Sequence, residues 1–190
     1  MQSRVRTFVA VEIGLDIRAR ATRLIAKLKT TGADVRWVEP DKLHLTLKFL
    51  GDVERNDIPA VCNAVLRAAA EVPPFDLESH GVGAFPDLHH PRTIWMGIGQ
   101  GEAEMAALQA GVEQALADEG YRPEARRFRP HLTLGRVRGA RGADELAAEL
   151  GGLLDYFGGA MSVDEVIVFS STLDRRGPTY EPLATAELRG

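Results

Sequence analysis

Cysteine is almost missing from this chain: Cys62 is the one such residue among 190. A lone thiol closes no internal disulfide and has no companion for a metal motif, which excludes a disulfide-stapled secreted scaffold and fits a reducing cytoplasm. Cys62 itself reads as a small packing residue on a helix. Long apolar runs are missing too. The strongest, Val163 to Phe169, is broken by an acid and far too short to cross a bilayer, so no transmembrane helix is expected. The opening Met-Gln-Ser-Arg-Val-Arg does not read as a signal peptide. Nor is there an excess of positive charge. A net −4 weighs against a protein that coats nucleic-acid duplexes by bulk electrostatics. Absent as well are a Walker loop, a Gly-rich dinucleotide fingerprint and a Gly-x-Ser-x-Gly elbow. Asp87, His89 and His90 lie close in sequence, but adjacent side chains diverge and no Glu or Cys follows at a ligand spacing. They read as a surface loop, His80 has no visible partner, and no metal site or other cofactor is expected.

What is present is ordinary in bulk. Hydrophobic residues make up 45% and charged residues 26%, the balance of a soluble globular chain, and 190 residues suffice for one sizeable core. Periodicity predicts strands over 4–13, 35–38, 43–50, 75–82, 93–98, 131–137, 163–171 and 180–188, with a turn at 174–178. Helices are predicted over 16–30 with Asp16 as cap, 57–72 with Pro59 in its first turn, 102–119, and 142–157. Strands and helices alternate throughout, so the class is α+β, or mixed α/β. No linker rich in Gly, Pro or Ser divides it, and a single domain over 1–190 is expected.

One local feature departs from the average. Between Arg122 and Arg141 there are seven arginines and one acid, Glu124, a formal +6. This segment surrounds the second copy of a repeated tetrapeptide: His44-Leu-Thr-Leu47 and His131-Leu-Thr-Leu134 are identical. The echo suggests two similar halves about a pseudo-two-fold axis. In a strand, side chains alternate between faces, so each copy presents its leucines to a core and its histidine with its threonine to the opposite side. Paired halves would bring two imidazoles and two hydroxyls to one cleft. A lone strand histidine is usually structural, but that reading has to explain the same His-x-Thr pattern twice with the same parity.

Those groups suit a phosphodiester. Opening a cyclic phosphate with water needs a base for the nucleophile and an acid for the departing ribose oxygen. Imidazole, with an ordinary pKa of about 6.5, serves in either state near neutrality. Hydroxyls at fixed positions stabilise charge on the phosphoryl oxygens. Strict alternation puts Lys48 on the histidine face, where it would touch an RNA backbone, and Phe49 in the core. Phe85, Trp95 and Tyr180 read first as core aromatics and second as base-stacking surfaces.

The sequence resembles the two-histidine phosphoesterases, and within them the RNA 2′,3′-cyclic phosphodiesterases also described as 2′-5′ RNA ligases. The resemblance runs through Arg6-Thr-Phe-Val-Ala10, Val35-Arg-Trp-Val38, Lys42-Leu-His-Leu-Thr-Leu-Lys-Phe-Leu-Gly51, Gly83-Ala-Phe-Pro86 and Pro91-Arg-Thr-Ile-Trp95. It continues in Phe128-Arg-Pro-His-Leu-Thr-Leu-Gly-Arg136 and Gly177-Pro-Thr-Tyr180. It implies a two-lobed, pseudo-symmetric fold with antiparallel sheets lining a central cleft and helices outside. It also implies hydrolysis of 2′,3′-cyclic phosphate ends on RNA or nucleotides to a 2′-phosphate; the two-imidazole scheme requires no metal, and a monomer is expected. His44 and His131 are then the acid/base pair, with His131 assigned as base and His44 as acid, and Thr46 and Thr133 bind the phosphate. Arg136 is the arginine that contacts phosphate, which alternation allows only if the strand ends or bulges at Gly135. Alternatives kept open are 2′-5′ ligation of cyclic ends and a non-catalytic RNA-end-binding module.

Overall fold

The computed structural model describes residues 4–175 and 177–190. The elements run β1 (Arg4–Glu12), α1 (Leu15–Lys29), β2 (Val35–Trp37), β3 (His44–Glu54), α2 (Ile58–Ala70), β4 (Phe75–Phe85), β5 (Thr93–Ile98) and α3 (Glu102–Asp118). They continue with β6 (His131–Val137), α4 (Ala143–Gly151), β7 (Phe157–Val163), β8 (Glu165–Asp174) and β9 (Gly177–Glu187). Arg176, in the turn expected over 174–178, lies outside the described residues.

Among the described residues the strands form one antiparallel sheet in the order β7-β4-β5-β6-β3-β1-β8-β9, with β2 paired to β6. The two motif strands therefore meet at the middle. Strand β3 is backed by β1, β8 and β9, and β6 by β5, β4 and β7, so each half sets its His-Leu-Thr-Leu against the other's.

Helical stripes match the sequence reading. Ile17, Ala21, Leu24, Ile25 and Leu28 of α1 are buried, as are Met105, Leu108, Val112 and Leu116 of α3. They share one core with Leu45, Leu47, Leu132 and Leu134. Burying a leucine stabilises by about 1.5–3 kcal/mol, so a one-residue slip of either motif strand would expose two leucines at once. A smaller cluster, Phe8, Ala10, Ile167 and Phe169 with Tyr180 against it, sits apart from that core.

Two local expectations differ. Asp16 does not cap α1; Gly14 precedes the helix, and the Asp16 carboxylate accepts instead from Arg20 and from the Ala160 N–H of β7. The helix expected over 142–157 stops at Gly151, next to a second glycine, and Phe157–Val163 is an edge strand on β4. Its Phe-Gly-Gly-Ala-Met-Ser-Val sequence is poor in β-branched residues. The open edge of β4, from Phe75 opposite Val163 to His80 opposite Phe157, supplies the pairing that local propensity does not.

Candidate active site

The two motifs are joined through one backbone register, Leu45 opposite Leu132. In an antiparallel pair the next positions follow: Thr46 stands opposite His131, and His44 opposite Thr133. The histidines are then diagonal neighbours, and such positions lie roughly 7–8 Å apart. Leu45, Leu47, Leu132 and Leu134 are buried on the other face, while both histidines and both threonines are partly exposed. The parity argument places the four groups where the sequence reading expects them.

Each imidazole is held in the same way. His44 Nδ1 is 2.7 Å from the carbonyl of Lys42, and His131 Nδ1 is 2.6 Å from that of Arg129. A carbonyl only accepts, so in both rings Nδ1 carries the hydrogen and the neutral tautomer leaves the Nε2 lone pair free. Each ring also meets an aromatic at right angles: Tyr180 lies 5.3 Å from His44 at 88°, and Phe85 lies 5.1 Å from His131 at 89°. Burial pushes both histidine pKa values below the ordinary value. At His131 the nearby guanidiniums of Arg136 and Arg129 add to the depression.

Lys48 is a correction. It does not share the histidine face. Pairing of β1 with β3 steps from Val9 opposite Lys48 to Ala10 opposite Thr46, so β3 carries one extra residue and its parity inverts after Leu47. Lys48 is thereby turned into the core side, 7% exposed, where its ammonium donates to Glu113 Oε1 at 2.6 Å and to the Arg122 carbonyl at 3.0 Å. Phe49, expected in the core, faces the cleft instead, 66% exposed and 5.9 Å from Phe8.

The same inversion occurs in the second motif. Pairing of β5 with β6 steps from Trp95 opposite Thr133 to Ile94 opposite Gly135. Arg136 is thereby returned to the His131 side, where Nη1 donates to Thr93 Oγ1 at 3.2 Å. Gly135 is required there by close approach: a Cβ would stand 2.7 Å from Val35 Cγ1 and 2.9 Å from Trp37 Cε3 of the paired strand β2. Phe49 and Arg136 thus occupy equivalent places two residues after each tetrapeptide. The signal for Phe49 was available, because a bulge demanded by Arg136 after one motif implies one after its twin.

Two hollows flank the imidazoles. One of about 490 Å³ lies beside Tyr180, the ring against His44, and is lined by Glu39, Asp41, Lys42, Asp174 and Gly177 as well. Burial raises the Tyr180 pKa, while the nearby cations of Lys42, Arg36, Arg6 and Arg136 oppose that rise. The other, about 290 Å³, lies beside His131 and is lined by Phe85, Trp95 and Gly97 among others. Phe85, Trp95 and Tyr180 are all partly exposed: Phe85 and Trp95 line the hollow beside His131, and Tyr180 lines the other while packing against the smaller cluster. Asp87, His89 and His90 form an exposed loop in which both histidine N–H groups donate to Asp87 Oδ1. Cys62 is partly buried on α2, and burial raises its thiol pKa. Among the described residues, no group of three or more His, Cys, Asp or Glu is placed to hold a metal ion, and no helix is long and apolar enough to cross a membrane.

The sheet order and the paired imidazoles are those of a two-histidine phosphoesterase fold. The chain belongs to the 2′-5′ RNA ligase superfamily, whose sequence model matches residues 16–175. It is 36% identical over 185 residues to the RNA 2′,3′-cyclic phosphodiesterase of Methanothermobacter thermautotrophicus, covering 97% of this chain and all of that one. With the protein of the same name from Aeropyrum pernix it shares 34% over 165 residues, 86% of this chain and 92% of that one. Its fold matches the crystal structure of apo LigT from E. coli over the full length of both chains, with a TM-score of 0.81 at 26% identity. LigT in complex with 3′-AMP matches over 98% of this chain and 99% of that one, with a TM-score of 0.78 at the same identity.

Proposed function

We propose that this chain is an RNA 2′,3′-cyclic phosphodiesterase that opens the cyclic end by water and leaves the phosphate on the 2′ oxygen. The observation that carries the reading is the pair of imidazoles on adjacent strands, each with Nδ1 tied to a carbonyl and Nε2 free. Relatives with that printed activity match over nearly the whole chain. The halves act as one two-lobed domain, because neither half carries a complete acid/base pair.

In the proposed reaction His131 Nε2 takes a proton from water as it attacks phosphorus, and His44, protonated, gives a proton to the departing 3′ oxygen on the opposite side. Burial, helped by the Arg136 and Arg129 guanidiniums, lowers the His131 pKa and so favours the neutral ring that accepts a proton. Among the described residues no guanidinium bears on His44 in this way. Thr46 and Thr133 donate to the non-bridging oxygens, and Arg136 offsets their charge. The nucleoside carrying the cyclic phosphate lies on the His44 side, where Phe49 offers a stacking surface and the Arg6 and Arg36 cations near Tyr180 meet the rest of an RNA strand. Two imidazoles perform both proton transfers, so this scheme calls for no cofactor. The lone Cys62 supports a reducing compartment such as the cytoplasm, and each chain carries a whole site, as a monomer requires.

The test is a product assay on 2′,3′-cyclic nucleotides in EDTA. Undiminished turnover to the 2′-phosphate is expected; activity lost in EDTA and restored by a divalent cation, or a 3′-phosphate product, would overturn the scheme. A non-catalytic end-binding module predicts no product under any condition.

The pH dependence gives a second test. In the free enzyme both pKa values lie below about 6.5. kcat/KM reports the free enzyme, so it should peak below that pH, falling on the acid side as the base protonates and on the alkaline side as the acid loses its proton. A bound phosphate anion favours the imidazolium, so the alkaline limb of kcat should lie at higher pH than that of kcat/KM. A kcat/KM optimum above neutrality would contradict the burial argument.

A further inference from the structure

We infer that Lys48 and Glu113, both outside the cleft, are positioning residues for His131: together they anchor the segment whose carbonyl fixes that imidazole's tautomer. The inference rests on the reading above, in which His131 is the base.

The two histidines are oriented alike, yet their acceptors are held differently. The Lys42 carbonyl that accepts from His44 ends a short 3-10 turn, Pro40–Lys42, closed by a backbone bond from the Lys42 N–H to the Glu39 carbonyl. Arg18 Nη1 braces the same turn by donating to the Pro40 carbonyl at 2.7 Å. The Arg129 carbonyl that accepts from His131 has no such frame. It belongs to the connection between α3 and β6, where residues 121–130 form neither helix nor strand. Tyr121 donates its N–H to the Leu116 carbonyl, but among the described residues no backbone-to-backbone bond fastens 122–129. Phe128 packs against the main core and Pro130 is buried, so the far end stays on the protein. Apolar packing is non-directional and does not aim a carbonyl.

The near end is held by one buried ion pair. Glu113 of α3 accepts at Oε1 from Lys48 Nζ at 2.6 Å and from the Glu124 N–H at 2.7 Å. Lys48 Nζ also donates to the Arg122 carbonyl at 3.0 Å. The pair thus grips the connection at residues 122 and 124 and ties it to β3, two positions after Thr46. Gln109 Nε2 donates to the other carboxylate oxygen at 3.1 Å, which fixes Glu113 itself. With these ties made, the free run is 125–129; without them it is 122–129. A longer free run samples more conformations, and the carbonyl near its end is aimed less often at Nδ1. Arg122, Arg126, Arg127 and Arg129 face a single acid, Glu124, so mutual repulsion spreads the run further once it is released.

Loss of that aim has a chemical consequence. A free neutral imidazole carries its hydrogen mostly on Nε2, and an acceptor at Nδ1 reverses the preference. A His131 ring released from Arg129 presents an N–H to the attacking water instead of a lone pair, and cannot serve as base in that state. His44 needs no such help, because as the acid it is protonated on both nitrogens. The buried pair therefore sits where the proposed mechanism is most sensitive to tautomer.

The experiment replaces the ion pair with an apolar one, Lys48→Met together with Glu113→Leu, in the full chain. Exchanging both members of a buried pair for apolar residues leaves no lone charge, so the melting temperature should fall far less than for Lys48→Met alone. Single-turnover opening of a 2′,3′-cyclic nucleotide should slow roughly 10-fold or more, since a small misplacement of a catalytic group costs up to about 100-fold. Nitrogen-15 shifts of the two rings, read where both are neutral, should show His131 moving from the Nδ1–H toward the Nε2–H tautomer while His44 keeps Nδ1–H. A pair that served stability alone would move both rings or neither. The inference is overturned by a folded double variant in which either the His131 tautomer or kcat matches wild type, or in which both rings change together. Should the double variant not fold, Lys48→Met read below its melting temperature also releases the Arg122 carbonyl and is held to the same outcomes. Ring shifts do not depend on turnover, so a wild-type chain that makes no product refutes the phosphodiesterase reading, and the shifts alone then decide the anchor.

Discussion

Replacing either His44 or His131 with alanine is expected to slow cyclic phosphate opening by at least ~100-fold in kcat, the usual contribution of a positioned acid or base. The expectation is symmetrical because the two rings are held alike, by one Nδ1 hydrogen bond to a carbonyl two residues back and one perpendicular aromatic contact. Neither ring lies in the main hydrophobic core, so both variants should keep the wild-type circular dichroism spectrum. The double variant should be little slower than either single one, because an acid and a base acting in one step are not additive. The measurement is single-turnover kinetics with 2′,3′-cyclic nucleotide. A folded single variant turning over at near wild-type rate would sink the acid/base pair.

The second large effect belongs to stability. Lys48→Met should destabilise the fold by about 3 kcal/mol, because it leaves the Glu113 carboxylate in a buried place without its cation. The Lys48 and Glu113 side chains are 6% and 17% exposed, and the pair is 2.6 Å long. Breaking such a pair from one side costs about 3–5 kcal/mol; the lower end applies because Glu113 keeps donors from Gln109 Nε2 and the Glu124 N–H. For a chain of this size that corresponds to a melting temperature lower by roughly 6–12 °C. Adding Glu113→Gln should recover part of the loss, since no lone charge then remains, and a double-mutant cycle reads that coupling directly. A single variant within about 0.5 kcal/mol of wild type would mean the pair is solvated in solution. The same contacts tie β3 to the arginine-rich segment that enters His131, so Lys48 holds the two motifs in relation to each other without facing the cleft.

Lys48 also shows where a sequence stops being legible. Alternation along His44-Leu-Thr-Leu47 is a local property of an extended chain, so the face of each histidine and threonine was readable without coordinates. The inversion after Leu47 is not local. It arises because β1 meets β3 with one residue fewer over that stretch, a fact held by the partner strand. Strand β7 is a similar case: the stretch 158–162, between the helix expected over 142–157 and the strand expected from 163, carries little strand propensity of its own, and the open edge of β4 supplies its partner.

The aromatic walls divide along the same line. The residue types allowed Trp95 and Tyr180 to be core or cleft, and only their places in the two hollows, Trp95 with His131 and Tyr180 against His44, decided it.

By itself the sequence determined the chemistry: two imidazoles and two hydroxyls at matching parity, with an arginine after the second pair. It also determined the buried stripes of α1 and α3, since both follow from spacings of a few residues along one chain. The tertiary structure decided that β3 and β6 lie side by side, chose a bulge over a strand end at Gly135, and gave it a twin after Leu47 that exchanges the faces of Lys48 and Phe49. Those outcomes depend on pairing between segments tens of residues apart, and side-chain order along a single strand does not encode the count of residues on its neighbour.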